Sequence, residues 1–387
     1  MIRLCVAILA LLSLLWTAPA LVQAEHPGRP MAQQGPLRLL CWEAGPHADH
    51  QLILQGLAEG LKELGLIQTS PVPEPVDNST APLWQWLAKN ARGRVVFLED
   101  GFYSAGWNEN LRNKVRESIA TRGKVLRDFD LVLAFDTWTA VDASVMDPDF
   151  PVLVSSVTAF ANTDLAQSLG KGTDNKVCVV HEQDRLYRLA TLFHSLFGFE
   201  RLGVVWDNGK NGRDMAGLNE LDRAARDQNF TLVSCAESLW GEKPDVLEKH
   251  LLACNRKLAK EGVDAVFLTL APEPASHLDA ANALSPLTKA GIPTFSLAGG
   301  RELKAGALLG TGKRMQLALG RYLARIVADI IGGIRLPKDL VHVSPLVLSL
   351  NMQSALALGW DPPLKVLAIT DEYVDMDGEW QENGLLP

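Results

Sequence analysis

The stretch "NKVCVVHEQDRLYRLATLFHSLFGFERLGVVWDN", residues 175 to 208, decides how the rest of the chain is read. Two apolar runs of strand length, Val177 to Val180 and Leu202 to Trp206, flank an amphipathic segment. Within that segment Leu186, Leu189, Leu192, Phe193 and Leu196 recur at helical spacing, and Gly198 supplies a stop. The two apolar runs are continuous rather than alternating, the pattern of strands covered on both faces. A strand–helix–strand unit with buried strands predicts a parallel sheet in α/β layers.

The same unit recurs in both directions. Further strand-length runs are Leu37 to Trp42, Val95 to Leu98, Leu131 to Phe135, Val152 to Val154, Thr231 to Val233, Ala265 to Leu270 and Thr294 to Leu297. In "LILQGLAEGLKELG", residues 52 to 65, Leu52, Leu54, Leu57, Leu61 and Leu64 form an apolar stripe that ends at Gly65. At 387 residues the chain is long enough for two such sheets. Residues 69 to 127 are the least regular: a Pro-rich loop, then "EDGFYSAGWNENLRNKV" after a strand.

The first residues predict export. Arg3 precedes an apolar run from Leu4 to Trp16, and Val22-Gln23-Ala24 makes a small-x-small cleavage site. That run is shorter than the roughly 20 apolar residues of a spanning helix, so residues 1–24 read as a cleaved secretory signal and 25–36 as a leader. With 47% hydrophobic and 21% charged residues the chain is globular, and a formal charge of −8 argues against nucleic acid as a partner. After the signal four cysteines remain, none at C-x-x-C spacing, so a structural zinc site is not expected. Cys235 and Cys254 either form a disulfide, as export permits, or remain buried thiols.

Most catalytic motifs fail on inspection. "GALLGTGKR" lacks the first glycine of a phosphate loop, and Arg314 replaces its hydroxyl. His47 and His50, three apart at a helix start, read as solvent-facing polar residues rather than as ligands of a metal. No nucleophile elbow and no H-E-x-x-H occurs, so no cofactor is expected and no catalytic residue is assigned.

What remains is the set of residues where strands end, the place at which open α/β sheets hold ligands. Those ends carry Glu43, Asp136-Thr137-Trp138, Ser155-Ser156 with Thr158, Trp206-Asp207, Thr269 and Ser296. Hydroxyls, carboxylates and indoles together suit a small polar molecule with an apolar or planar part. Trp206 is a candidate stacking wall, and Asp136 or Asp207 a partner for a ligand amine. Thr137 and Ser156 have an alternative role as helix caps.

In order along the chain, the opening stretch, then "VDAVFLTLAPEPASHLDAANALSPLTKAGIPTFS", "GALLGTGKRMQLALGRYLARIVADIIGGIRLPKDL" and "LVLSLNMQSALALGWDPP" resemble the substrate-binding proteins of ABC importers. The likeness is to the type I periplasmic binding fold, in the branch that includes aromatic amino acid binders. It departs where that branch has Thr-Pro, Asp-Pro and Tyr-Asn: here stand Thr137-Trp138, Ser156-Val157-Thr158-Ala159 and Trp206-Asp207. The resemblance implies two Rossmann-like lobes joined by three crossovers that close on a ligand. It implies lobe one from 37–156 plus 300–335, and lobe two from 175–297 plus 342–365. Crossovers then fall at 157–174, 297–300 and 335–342, with a tail over 366–387. Gly299-Gly300 would be hinge glycines and Ser296 would reach the cleft. The expected function is capture of a small solute, an amino acid or similar, by a periplasmic monomer that serves an ABC permease. The alternatives are a sensor for a membrane receptor, and a secreted enzyme using Asp136, Asp207 and Glu43.

Overall fold

In a computed structural model of the chain, the alternation of apolar runs and amphipathic segments becomes two sheets, each wrapped by helices. The structure describes residues 35–73, 79–157, 176–182, 184–209, 212–239, 242–269, 279–297, 299–334, 339–342 and 345–383. The predicted signal, nearly all of the leader, Thr158 and, of the first crossover expected at 157–174, residues 158–174 lie outside the described residues.

Lobe one opens with β1 (Leu37–Glu43), α1 (Ala48–Glu63), β2 (Ile67–Gln68), α2 (Thr80–Asn90), β3 (Arg92–Gly93) and β4 (Val95–Ser104). It continues with α3 (Glu109–Val125), β5 (Leu131–Phe135), α4 (Thr137–Met146), β6 (Val152–Val157) and β7 (Val177–Glu182). The chain then enters lobe two as α5 (Arg185–Phe197), β8 (Arg201–Asp207), α6 (Gly212–Met215), α7 (Leu218–Gln228) and β9 (Thr231–Glu237). There follow α8 (Pro244–Lys260), β10 (Ala265–Leu268), α9 (Ala280–Lys289), β11 (Thr294–Ser296), α10 (Gly300–Lys304) and β12 (Leu309–Thr311). It returns to lobe one for α11 (Arg314–Ile331) and β13 (Asp339–His342). It ends in lobe two with β14 (Leu348–Asn351), α12 (Met352–Ala357), α13 (Leu364–Leu367), β15 (Thr370–Val374) and β16 (Trp380–Glu382).

The first sheet has the order β13-β7-β6-β5-β1-β4, and all its pairs are parallel. The second has the order β16-β15-β14-β12-β11-β10-β8-β9, parallel from β12 to β9, with β14 antiparallel to β12. Each sheet is buried on both faces, which explains the continuous runs. Along β1, Leu39 and Cys41 join the core beneath α1 and α11, while Leu40 and Trp42 join Ile119 of α3 and Ala140 of α4 on the other face. In β8, Val204 packs with α5 and α7, and Val205 with α8.

Three of the expected boundaries move. Val177–Glu182 pairs in parallel with β6, Val152 facing Val177, so it closes lobe one rather than opening lobe two. Leu309–Thr311 pairs with β11 and so belongs to lobe two, not lobe one. The chain therefore passes between the sheets after Glu182, between Thr311 and Arg314, and between His342 and Leu348. The expected tail contributes β15 and β16 to the second sheet. An apolar strand does not carry the name of the sheet it joins. Residues 80–125, read as irregular, form the ordered run α2, β3, β4 and α3.

Helix α11 is locked to lobe one by glycines. A Cβ on Gly56 would meet the Leu317 carbonyl oxygen at 2.2 Å, and one on Gly320 would meet that of Ile53 at the same 2.2 Å. The two helices thus touch backbone to backbone. Their N-terminal ends meet there, where Gln316 Nε2 donates to Asp49 Oδ2 at 2.8 Å.

Candidate functional site

A cleft with about 1020 Å3 of non-atom space, part of it open to solvent, is lined from both lobes. Lobe one supplies the polar floor and the aromatic wall, at the carboxyl ends of β5, β6 and β7 and the start of α1. Lobe two supplies Arg185 and Leu186 of α5, Met215, Glu220 of α7, and Leu297 after β11.

The floor is built around Asp136, at the junction of β5 and α4. Its Oδ2 accepts the Ala44 N–H at 2.8 Å and its Oδ1 accepts the Thr139 N–H at 3.1 Å. The residue has φ 85°, a conformation that an L residue keeps only when its surroundings enforce it. Behind it lies His50, 2% exposed, with Nδ1 3.4 Å from Glu43 Oε2 and its ring stacked on Phe135. Burial pushes the Asp136 carboxyl up to about 6, although the charge of His50 and the two N–H donors oppose the shift. For His50, burial opposes the charged form, but the hydrogen bond and charge of Glu43, with the charges of Asp136 and Asp49, hold its pKa above the ordinary value.

The wall is a pair of indoles, Trp107 and Trp138, edge to face with centroids 5.7 Å apart. Trp107 lies flat on Gly45, where a Cβ would approach the ring to 2.4 Å, and its Nε1 donates to the Pro46 carbonyl at 3.0 Å. Trp107 has φ 58° and Ser156 φ 60°. The β6–β7 register shifts between Val154 and Val157, and this bulge carries Ser156 into the lining. Strained backbone at Trp107, Asp136 and Ser156 thus gathers on one side of the cleft.

Of the residues expected from sequence, Asp136, Thr137, Trp138 and Ser156 line the cleft, and Glu43 lies buried behind it on His50. Asp207, Trp206, Thr269 and Ser296 are placed elsewhere, and Thr158 lies outside the described residues. Asp207 accepts the Gly209 and Leu239 N–H groups at 2.8 and 2.7 Å, so its carboxylate pins a turn. Trp206 lies under the Arg213 guanidinium, 5.5 Å from its centroid. Thr269 donates to the Val205 carbonyl at 2.7 Å, on a separate hollow of lobe two. Ser296 is fully buried, donating to Glu302 and accepting the Gly299 N–H at 2.9 Å. Gly299, at φ 61°, lies just before α10 and Gly300 opens that helix, both within lobe two, so neither glycine joins the two lobes. Local hydrogen bonding claims these strand-end groups, a competitor that strand position alone does not reveal. Reading His47 and His50 as solvent-facing was wrong for His50, whose burial comes from the α1–β5 contact.

Several lining residues carry little or no local signal in the amino-acid order. Glu220 came from a helix with no motif, and Gln316 and Met215 had no local signal. Trp107 was visible only as an aromatic in an irregular segment.

Cys235 and Cys254 form a disulfide between β9 and α8, while Cys41 and Cys178 are buried and in no disulfide. Glu237 lies beside that pair, but disulfide sulfurs do not ligate a metal as thiolates do.

No protein-family model matches the chain, and no curated protein matches it in sequence. Solved structures do resemble it. A conserved domain protein from Vibrio cholerae O1 biovar El Tor is 18% identical, with a TM-score of 0.60 over 87% of this chain and 99% of that one. An ABC domain in complex with L-Trp from Streptococcus pneumonia is 16% identical, with a TM-score of 0.60 over 87% and 100%. A ligand-free, open substrate-binding protein with adhesive properties from Clostridium difficile is 16% identical, with a TM-score of 0.54 over 84% and 96%. The chain has the type I periplasmic binding protein fold: two α/β lobes with parallel sheets.

Proposed function

We propose that the protein is an exported solute-binding protein that captures a small molecule between its lobes and presents it to an ABC import permease. The observation that carries this reading is the cleft itself, lined by both lobes, between which the chain passes after Glu182, between Thr311 and Arg314, and between His342 and Leu348. These connections are the hinge of the proposal: ligand that touches both walls favours the closed form by its extra contacts there. Export to an oxidising compartment is supported by the predicted signal and by the Cys235–Cys254 disulfide. Among the described residues no helix is long and apolar enough to cross a membrane. The Cα–Cα span of the bridge is 5.6 Å, ordinary for a disulfide.

The reading is binding rather than turnover. Of the three acid–base candidates, Asp207 pins a turn and Glu43 lies behind His50, which leaves Asp136 as the one that lines the cleft, with its two oxygens on backbone N–H groups. Intrinsic fluorescence provides the test, since Trp107 and Trp138 line the cleft. Titration of the purified protein with amines, amino acids, sugars and nucleosides should give a saturable change for one class, with unmodified ligand recovered afterwards. Recovery of a chemically altered ligand would replace the binding reading with an enzymatic one.

A further inference from the structure

The charge pattern of the cleft narrows the ligand, given the binding reading above. An anion entering an α/β cleft is normally met by free N–H groups at helix N-termini. Four helices start at this cleft, and a side chain of the protein already takes an N-terminal amide of each; at α11 Asp371 Oδ2 accepts the Arg314 N–H at 3.0 Å. His47 Nδ1 accepts the Asp49 N–H of α1 at 3.1 Å, and Asp136 accepts the Thr139 N–H of α4. At α5, Glu220 Oε2 accepts the Leu186 and Tyr187 N–H groups at 2.8 and 3.1 Å. Glu220 comes from α7, so a carboxylate from elsewhere in lobe two already occupies the position a ligand carboxylate would take.

Cationic partners for an anion are equally scarce. Among the described lining residues Arg185 is the only arginine or lysine, and its Nε lies 3.5 Å from Glu182 Oε2. The acidic groups differ in what balances them. Glu182 faces Arg185 and Arg188, at 3.5 and 3.7 Å. Asp49 accepts from Gln316, and Glu220 takes the α5 N-terminus. Asp136 has no arginine or lysine partner among the described residues. Glu43 Oε2 already holds His50 Nδ1 at 3.4 Å, while the two hydrogen bonds that Asp136 accepts come from the backbone N–H groups of Ala44 and Thr139. Above the floor stand two indoles, whose faces attract cations.

We infer that the cleft takes an organic cation lacking a carboxylate, an amine or quaternary ammonium on an apolar or aromatic body, with the cationic group at Asp136 and the body against Trp107 and Trp138. The protein rejects the corresponding amino acid because Glu220 and Asp136 repel its carboxylate and hold the amides it would need.

The test compares matched pairs with the full chain by calorimetry: tryptamine against tryptophan, phenethylamine against phenylalanine, and choline, with glucose as a neutral control. The amine of a pair should bind at least about tenfold more tightly than its amino acid, the scale of one charge-assisted contact. Asp136→Asn should weaken amine binding by about tenfold or more. Should that variant not fold, the wild-type ratios decide alone. Equal or tighter binding of the amino acids, or of glucose only, overturns the cation assignment and leaves the binding function standing. No binding by any class overturns both.

Discussion

The two walls of the cleft are made differently. On the lobe one side the binding groups are held before any ligand arrives: buried carboxylates around His50, indoles seated on Gly45, and backbone in rare conformations at Trp107, Asp136 and Ser156. On the lobe two side stand Leu186, Met215 and Leu297, with the charges of Arg185 and Glu220 already engaged. The difference teaches a division of labour. Lobe one carries recognition, with its strain held by a rigid sheet, and lobe two supplies an apolar cover whose contacts are gained on closure.

The largest expected effect separates the lobes by stability. Replacing Cys235 and Cys254 by serine frees a segment with a sequence separation of 19, and chain entropy assigns the bridge about 3 kcal/mol. Thermal unfolding should then split, with lobe two melting first. A single transition, shifted as a whole, would show that the lobes unfold as one unit. Next comes Gly320→Ala. Helix propensity favours alanine by about 1 kcal/mol, but the Cβ would lie 2.2 Å from a backbone oxygen of α1. Overpacking against backbone should win, costing about 1–3 kcal/mol and loosening α11 from lobe one. Retained stability in chemical denaturation would show that the two helices can separate at little cost.

Smaller effects probe the walls themselves. Glu220→Ala uncovers the α5 amides and should raise affinity for carboxylate-bearing ligands by about 3- to 10-fold while leaving amines little changed. An unchanged amino acid affinity would mean that the Glu220 cap does not set selectivity. The smallest effect is a proton. A bound cation favours the ionised form of Asp136 and the neutral form of His50, so both pKa values fall and binding near pH 6 releases protons. Calorimetry in two buffers of different ionisation enthalpy reads this directly, and net uptake would contradict a cation at Asp136. The sign for stability follows from the same shift. Because the folded pKa of Asp136 is raised, its contribution is full below the ordinary carboxylate range and is lost as pH rises through about 6.

How much of this was readable beforehand depends on the range of the interaction. The strands were visible because burial on both faces leaves unbroken apolar runs, as in Leu131–Phe135. Helix ends at Gly65 and Gly198 were visible because both glycines adopt positive φ. Asp136 was visible as a polar residue at a strand end. Asp207 and Ser296 carried the same signal, and only their hydrogen bonds to Leu239, Gly209 and Glu302 tell them apart from it.

By itself, then, the amino-acid order determined the α/β class, the two-lobe plan and the position of most strands, since these follow from periodicity and local backbone preference. Tertiary structure decided which sheet received Val177–Glu182 and Leu309–Thr311, because strand pairing joins segments that no local pattern connects. It also decided that Glu220 would cap α5 and that Gln316 would reach Asp49, contacts across 34 and 267 positions of sequence. The electrostatic character of the cleft rests on such pairs, and a charge's meaning depends on the partner that folding brings to it.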